Sequence, residues 1–303
     1  RARRQRGVRR GWGCVVTAPA VVVTVYNDMR GVRALPILDA LARDAAPGDL
    51  GVCIHDPPSG DDRALADAVR ARGLRLWYGW GVDPDAARAE ADAAQRTRDR
   101  AALARDRGAE VVELNGEAKW RGMPGGRASS LIDAARTAGL PVSWTSFDHL
   151  GYHALPWAAI LGPGGVDRHA PQLYGASPGA TPSGHTSVRA RIARAEGQMR
   201  ALIGRGVVRP ELGPGGDGYD AYGQLHGMTA AGAAVVFDRT DIARAWAIPT
   251  RHDAAGLLGL RAVLLCRARA GRSGGAVARW QASEGLAADG VVGPVTLRAL
   301  GLG

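Results

Sequence analysis

Apolar and polar residues follow one another along this chain in a repeating two-part pattern. A short run rich in β-branched residues leads into a polar turn, and a longer Ala/Arg/Leu segment with helical spacing follows. The runs predict strands over 20–27, 50–56, 74–80, 110–117, 140–147, 168–174, 206–212 and 233–238. The longer segments predict helices over about 33–45, 61–72, 84–107, 126–138, 154–161, 187–204, 218–231 and 252–268. Eight strands, each followed by a helix, within about 250 residues is the count and size of an α/β (β/α)8 TIM barrel. A doubly wound open sheet is the alternative, but no GxGxxG follows the first strand to favour it. The clearest helix is 84–107, with Pro84 suited to its first turn and Gly108 to its stop.

The pattern changes at 269–275, "RAGRSGG", which reads as a linker. The expected organisation is therefore a basic arm over 1–19, a barrel over 20–268, that linker, and a small helical module over 276–303. The loop after the sixth strand, rich in Pro, Gly and Ser, is long enough to form part of a binding-site rim.

Composition narrows the function classes. With 46% hydrophobic and 22% charged residues the chain is globular, and its 43 Gly and 17 Pro imply many tight connections. A net charge of +10, carried almost entirely by Arg, suits an anionic partner, whether nucleic acid, a membrane surface or an acidic wall polymer. It equally suits a GC-rich genome that favours Arg codons. Nucleic-acid binding has only the Arg-rich residues 1–10 behind it, so no specific nucleic-acid partner is expected. Cys14, Cys53 and Cys266 are odd in number and contain no CxxC, which argues against a disulfide framework or zinc site. His149 and His153 lack the further ligands a metal site needs, so neither metal nor cofactor is expected. No run of eighteen apolar residues suggests a membrane span. The stretch "CVVTAPAVVVTV" reads as the first strand and its approach in preference to a signal peptide.

In a (β/α)8 barrel the chemistry lies where the strands end. The expected ends carry Asp28, His55 and Asp56, Trp80 and Asp83, Asn115 and Glu117, Ser146 and Asp148, Gln172 and Tyr174, Glu211, and Asp238. An acidic ring with aromatic neighbours suits carbohydrate chemistry, because glycoside cleavage uses two carboxyl groups and sugar faces stack on aromatic rings. In "VVELNGEAKW", residues 111–120, Glu113, Asn115 and Glu117 alternate and so share one strand face. Glu117 is the candidate acid, since apolar surroundings near Trp120 favour its protonated form. Glu113, one layer deeper, suits a barrel-interior network. Either Asp28 or Asp148 would be the partner carboxylate, and Asn115, Trp120, Trp144, Gln172, Tyr174, Trp80 and Asp238 are the candidate substrate-binding residues. Asp56 before "PP" and Asp83 before "PDAA" read as turn formers or helix caps.

Two resemblances join these readings. The segment 276–300 resembles the peptidoglycan-binding type 1 module through Val277, Trp280, Gln281, Gly285, Leu286, Asp289, Gly290, Gly293, Pro294, Thr296 and Leu300, though Trp280 stands where that family has Leu and only about half a module is covered. "VVVTVYND", "VVELNGEAKW", "VSWTSFDHLGYHALPW" and "APQLYG", in that order, resemble the glycoside-hydrolase-family-25-type lysozymes and related barrels. That resemblance implies Glu117 as the acid and Asp28 as the first-strand Asp. It also marks a departure, because Asn115 stands where the family's D-x-E has a carboxylate. The departure implies a different nucleophile arrangement, use of the substrate's own acetamido group, or a barrel that binds glycan without cutting it. Together they imply a lysin-type peptidoglycan hydrolase, phage-encoded or virion-associated, acting at the bacterial cell wall with peptidoglycan and anionic wall polymers as partners.

Overall fold

The computed structural model describes residues 21–26, 34–56, 62–82, 90–117, 120–147, 150, 155–172, 185–207, 220–224, 229–239, 242–246, 254–272 and 274–303. Eight parallel strands close in chain order into a barrel. They are β1 Val21–Tyr26, β2 Leu50–His55, β3 Arg75–Gly81, β4 Val111–Asn115, β5 Val142–Phe147, β6 Arg168–Gln172, β7 Asp220–Gln224 and β8 Ile242–Trp246. The helices are α1 Leu35–Asp44, α2 Asp62–Ala71, α3 Glu90–Asp106, α4 Gly125–Arg136, α5 Trp157–Leu161, α6 His185–Gly204, α7 Ala230–Arg239, α8 Ala254–Ala270, α9 Ala276–Ser283 and α10 Pro294–Leu300.

The period-2 pattern of each strand divides its residues between two environments. Outward-facing Val21, Val23, Val52, Ile54, Leu76, Tyr78, Val112 and Leu114 join the apolar layer under the helices. Inward-facing Val22, Cys53, Trp77 and Val111 form a separate buried cluster that plugs the barrel. Above that plug the interior turns polar, for the register sets His55 beside Gly79, Gly79 beside Glu113, and Glu113 beside Ser143.

The first six strands lie where the sequence pattern predicts them; of the expected seventh, 206–212, residues 208–212 lie outside the described residues, and the expected eighth is not a strand. The run "AAVVF", expected as an eighth strand over 233–238, is the core of α7. A short apolar run is equally a strand or a fully buried helix, and here the helix wins because small residues let α7 lie very close to α8. A Cβ on Gly259 of α8 would stand 2.2 Å from the carbonyl oxygen of Ala230. The seventh and eighth strands are the short segments over 220–224 and 242–246, the former inside a predicted helix.

The two C-terminal helices close against the barrel's outer layer. Val277 and Trp280 of α9 are buried in the same apolar cluster as α7 and α8. Gln281 organises the turn that follows: its side-chain amide donates to Asp289 Oδ1, the Val291 carbonyl and Thr296 Oγ1 at 3.0–3.1 Å, and its own oxygen accepts from the Gly290 amide at 2.8 Å. Gly285 and Gly290 both sit at φ 69°, the left-handed region in which glycine carries no Cβ penalty. The connection before α9 is wrapped around Arg279, whose guanidinium donates to the carbonyls of Ala270, Gly271 and Gly274.

Asp238, at the end of α7, caps this arrangement. Its carboxylate accepts from the Val277 amide at 3.2 and 3.3 Å, and its carbonyl accepts from Gly275 at 2.9 Å. Burial pushes the Asp238 carboxyl up from 3.8 to about 6, against the opposing pull of the Val277 and Ala276 amides, Arg267 and Arg279. Between those two values the folded protein holds a proton that the unfolded chain releases, so stability falls as pH rises through this window. Asp238→Asn retains an acceptor for Val277 and has no charge to bury. The variant is therefore expected to gain about 2 kcal/mol on the wild type between pH 4 and pH 7, measured as the difference between denaturant unfolding curves. A constant difference across that range would contradict the account.

Candidate active site at the barrel mouth

The C-terminal end of β4 is built to hold Glu117 in place. The Trp120 amide donates to the Glu117 carbonyl at 2.9 Å, closing a turn directly after the strand. That turn is anchored from below: the Trp120 ring is buried, meets Trp144 edge-on at 5.3 Å, and donates its indole N–H to the Val82 carbonyl. Gly116 is required for this packing, because an added Cβ would stand 2.1 Å from Trp144 Cζ2. Asn115, Gly116 and Glu117 are thus a strand end, a glycine that admits a tryptophan beneath it, and a half-buried carboxyl at the mouth.

Gln172 reaches that carboxyl from β6, two strands away. Its amide donates to Glu117 Oε1 at 3.0 Å and to Asn115 Oδ1 at 3.3 Å, so the three residues form one hydrogen-bonded group. Gln172 is buried, and its own oxygen meets no donor among the described residues. One layer below lies Glu113, fully buried, with the Cys53 thiol 3.9 Å from its Oε1.

On the other side of β3, His55 ends β2 and Asp56 follows it. His55 is buried, and its Nδ1 lies 3.1 Å from Asp56 Oδ2. Asp56 also accepts from the Gly81 amide at 3.2 and 3.3 Å and from Arg100 at 3.4 Å. Burial works to raise the Asp56 carboxyl, but the His55 hydrogen bond and charge, the Gly81 amide and Arg100 outweigh it and hold the group below the usual carboxylate range. Asp56 adopts φ 45°, alone in the left-handed region among the described non-glycine residues. Such backbone strain persists where surrounding structure over-determines it, and it clusters at functional sites. The mouth therefore carries one carboxyl tied into an amide network and one fixed carboxylate.

Among the expected site residues, Glu117, Asn115 and Gln172 are brought together. Trp80, Trp120 and Trp144 are not sugar platforms, because all three rings are buried in the layer between barrel and helices. Asp238 is not at the mouth, since it belongs to α7 and caps α9. Asp28, Asp148 and Tyr174 lie outside the described residues. Asp56, read from the sequence as a turn former, is at the mouth. The signal for it was the pair Gly79 and Gly81, alternate positions without side chains beside a strand ending in His-Asp. Among the described residues no three His, Cys, Asp or Glu side chains are grouped to hold a metal ion.

No family profile matches this sequence, and no curated protein does. Solved structures do resemble the fold. A GH113 β-1,4-mannanase is similar at 11% identity over 83% of this chain and 99% of that one, with a TM-score of 0.52. An α-galactosidase I from Mortierella vinacea is similar at 12% identity over 83% and 73%, with a TM-score of 0.49. A tryptophan synthase from M. tuberculosis is similar at 13% identity over 85% and 94%, with a TM-score of 0.47. At these identities the likeness is one of fold, a barrel on which many chemistries are built.

Proposed function

We propose that this chain is a glycosidase of lysozyme-like type that cleaves the glycan of bacterial peptidoglycan, as phage lysins do. The observation that carries the reading is the Glu117 carboxyl, fixed at the strand ends by the Trp120 turn and by Gln172. Gln172 donates to Oε1 and so orients the carboxyl group. As the general acid, Glu117 would pass a proton to the glycosidic oxygen as the bond from that oxygen to the anomeric carbon breaks, and water would complete the hydrolysis at that carbon. Asp28 or Asp148 is proposed as the second carboxylate. Asn115, neutral beside Glu117, would hold a substrate hydroxyl or acetamido group.

The α9–α10 hairpin supports the choice of substrate. Its Gln281-centred turn is built from residues that resemble those of peptidoglycan-binding modules, and a wall-binding role for the hairpin would raise the local concentration of the active site on the polymer. The Arg-rich chain would add attraction to anionic wall polymers that weakens with salt.

Asn115 favours a second reading, a catalytically silent barrel that binds wall glycan in a virion or at the cell surface. The intact protein incubated with purified peptidoglycan separates the two. Soluble fragments with new reducing sugar ends are the expected result; sedimentation with the wall without new ends would establish the silent reading.

A further inference from the structure

The interior face of β3 has no side chains near the mouth. Gly79 and Gly81 occupy alternate positions and so point the same way into the barrel. The two glycines serve different purposes. At Gly79 an added Cβ would stand 2.7 Å from His55 Cδ2, 3.2 Å from Cys53 Sγ and 3.4 Å from Glu113 Cβ, so that glycine is filled by its neighbours. At Gly81, which is exposed, an added Cβ would meet only Asp56 Oδ2 among the described residues, at 3.7 Å. Here the missing side chain leaves an open trench. Asp56, directly after β2, forms one wall, and Asn115 on β4, the register partner of Gly81, forms the other.

The walls differ in chemistry. Asp56 is partly exposed, with 27% of its side chain accessible, and is anchored by His55, Arg100 and the amide of Gly81 itself. A carboxylate has about four acceptor positions, so donors from a bound molecule are accommodated beside the protein's own. Asn115 offers donors as well as an acceptor. A neutral, polyhydroxylated ring satisfies a fixed anion on one side and an amide on the other; a carboxylate or phosphate would meet the Asp56 charge.

We propose that the trench over Gly81 is a saccharide subsite, in which Asp56 accepts hydrogen bonds from hydroxyl or acetamido N–H groups of the sugar ring next to the one Glu117 attacks. The inference rests on the glycan reading of the mouth and names a specificity determinant for it. Asp56 is here a binding residue, and its strained backbone aims the carboxylate across the gap that Gly81 leaves.

Binding of soluble β-1,4-linked N-acetylglucosamine tetrasaccharide and of purified peptidoglycan fragments, followed by titration calorimetry, tests this. Gly81 does not sit at positive φ and has room for a methyl group, so Gly81→Ala is expected to fold with unchanged thermal stability. It should weaken binding by about tenfold or more, because the methyl occupies the trench. Asp56→Asn preserves shape, tolerates the left-handed backbone and still accepts from the Gly81 amide, and its binding should fall by about tenfold. Wild-type binding that both variants retain in full would overturn the subsite and leave the glycan reading intact. Failure of the wild type to bind either saccharide would overturn both. Should Gly81→Ala prove unstable, Asp56→Asn alone decides.

Discussion

Glu117→Gln is expected to lose glycan cleavage by about 10²- to 10⁴-fold, the range that a positioned general acid supplies. The substitution is nearly isosteric. The introduced amide would still accept from Gln172 through its oxygen, and the Trp120 turn uses only the main-chain carbonyl of position 117. Fold, thermal stability and sedimentation with peptidoglycan should therefore be unchanged while kcat falls. A loss confined to KM would mean that Glu117 binds substrate without donating a proton. Activity within a few-fold of wild type would remove Glu117 from the mechanism altogether.

Arg267→Ala is expected to destabilise the protein by about 3–5 kcal/mol, a large share of the 5–15 kcal/mol that holds a typical domain together. Arg267 on α8 and Asp49 at the start of β2 form an ion pair at 3.2 Å with both side chains about 1% exposed. The same guanidinium donates to the Arg272 carbonyl, and Arg272 reaches back to the Pro47 carbonyl, so the last barrel helix, the connection to α9 and the base of the barrel meet at one charge. Breaking a buried pair by removing one partner leaves the other charge in a poorly solvating interior, which costs far more than loss of an exposed pair. Urea unfolding should show a lower midpoint with little change in slope. A shift below about 1 kcal/mol would mean that Asp49 is stabilised without Arg267. Arg267→Met, which keeps the packing volume, should fall between the two.

Much of this was legible in the sequence, and the failures share causes. β1, β2, β4 and β5 were visible as runs with β-branched residues and β3 as an aromatic one, each leading into a helical segment, while β6, Arg168–Gln172, carried the weakest pattern of the six. β7 and β8 were not, because β7, Asp220–Gln224, has no β-branched residue and the stronger apolar signal near β8, Val235–Val236–Phe237, belongs to a buried helix. The placement of Asp238 at the mouth inherited that error. Glu117, Asn115 and Glu113 were legible from strand alternation alone. The tryptophans were misread although the same alternation covered them: Trp80 lies between two inward-facing glycines and must face out, and Trp144 shares the face of Val142. The reach of Gln172 across two strand positions to Glu117 depends on barrel closure, which no local pattern encodes. The role of Asp56 was hidden for a related reason, since its partners come from β2, β3 and α3 together.

The proposed function has the barrel mouth cutting glycan with Glu117 as its acid. Purified peptidoglycan digested in parallel with the intact protein and with Glu117→Gln, its products identified by mass spectrometry after borohydride labelling of reducing ends, tests this most directly. New reducing sugar ends from the intact protein, absent with the variant although both sediment with the wall, are the predicted result. Binding by both proteins with no new ends from either would contradict it and leave the barrel as a module that recognises the wall.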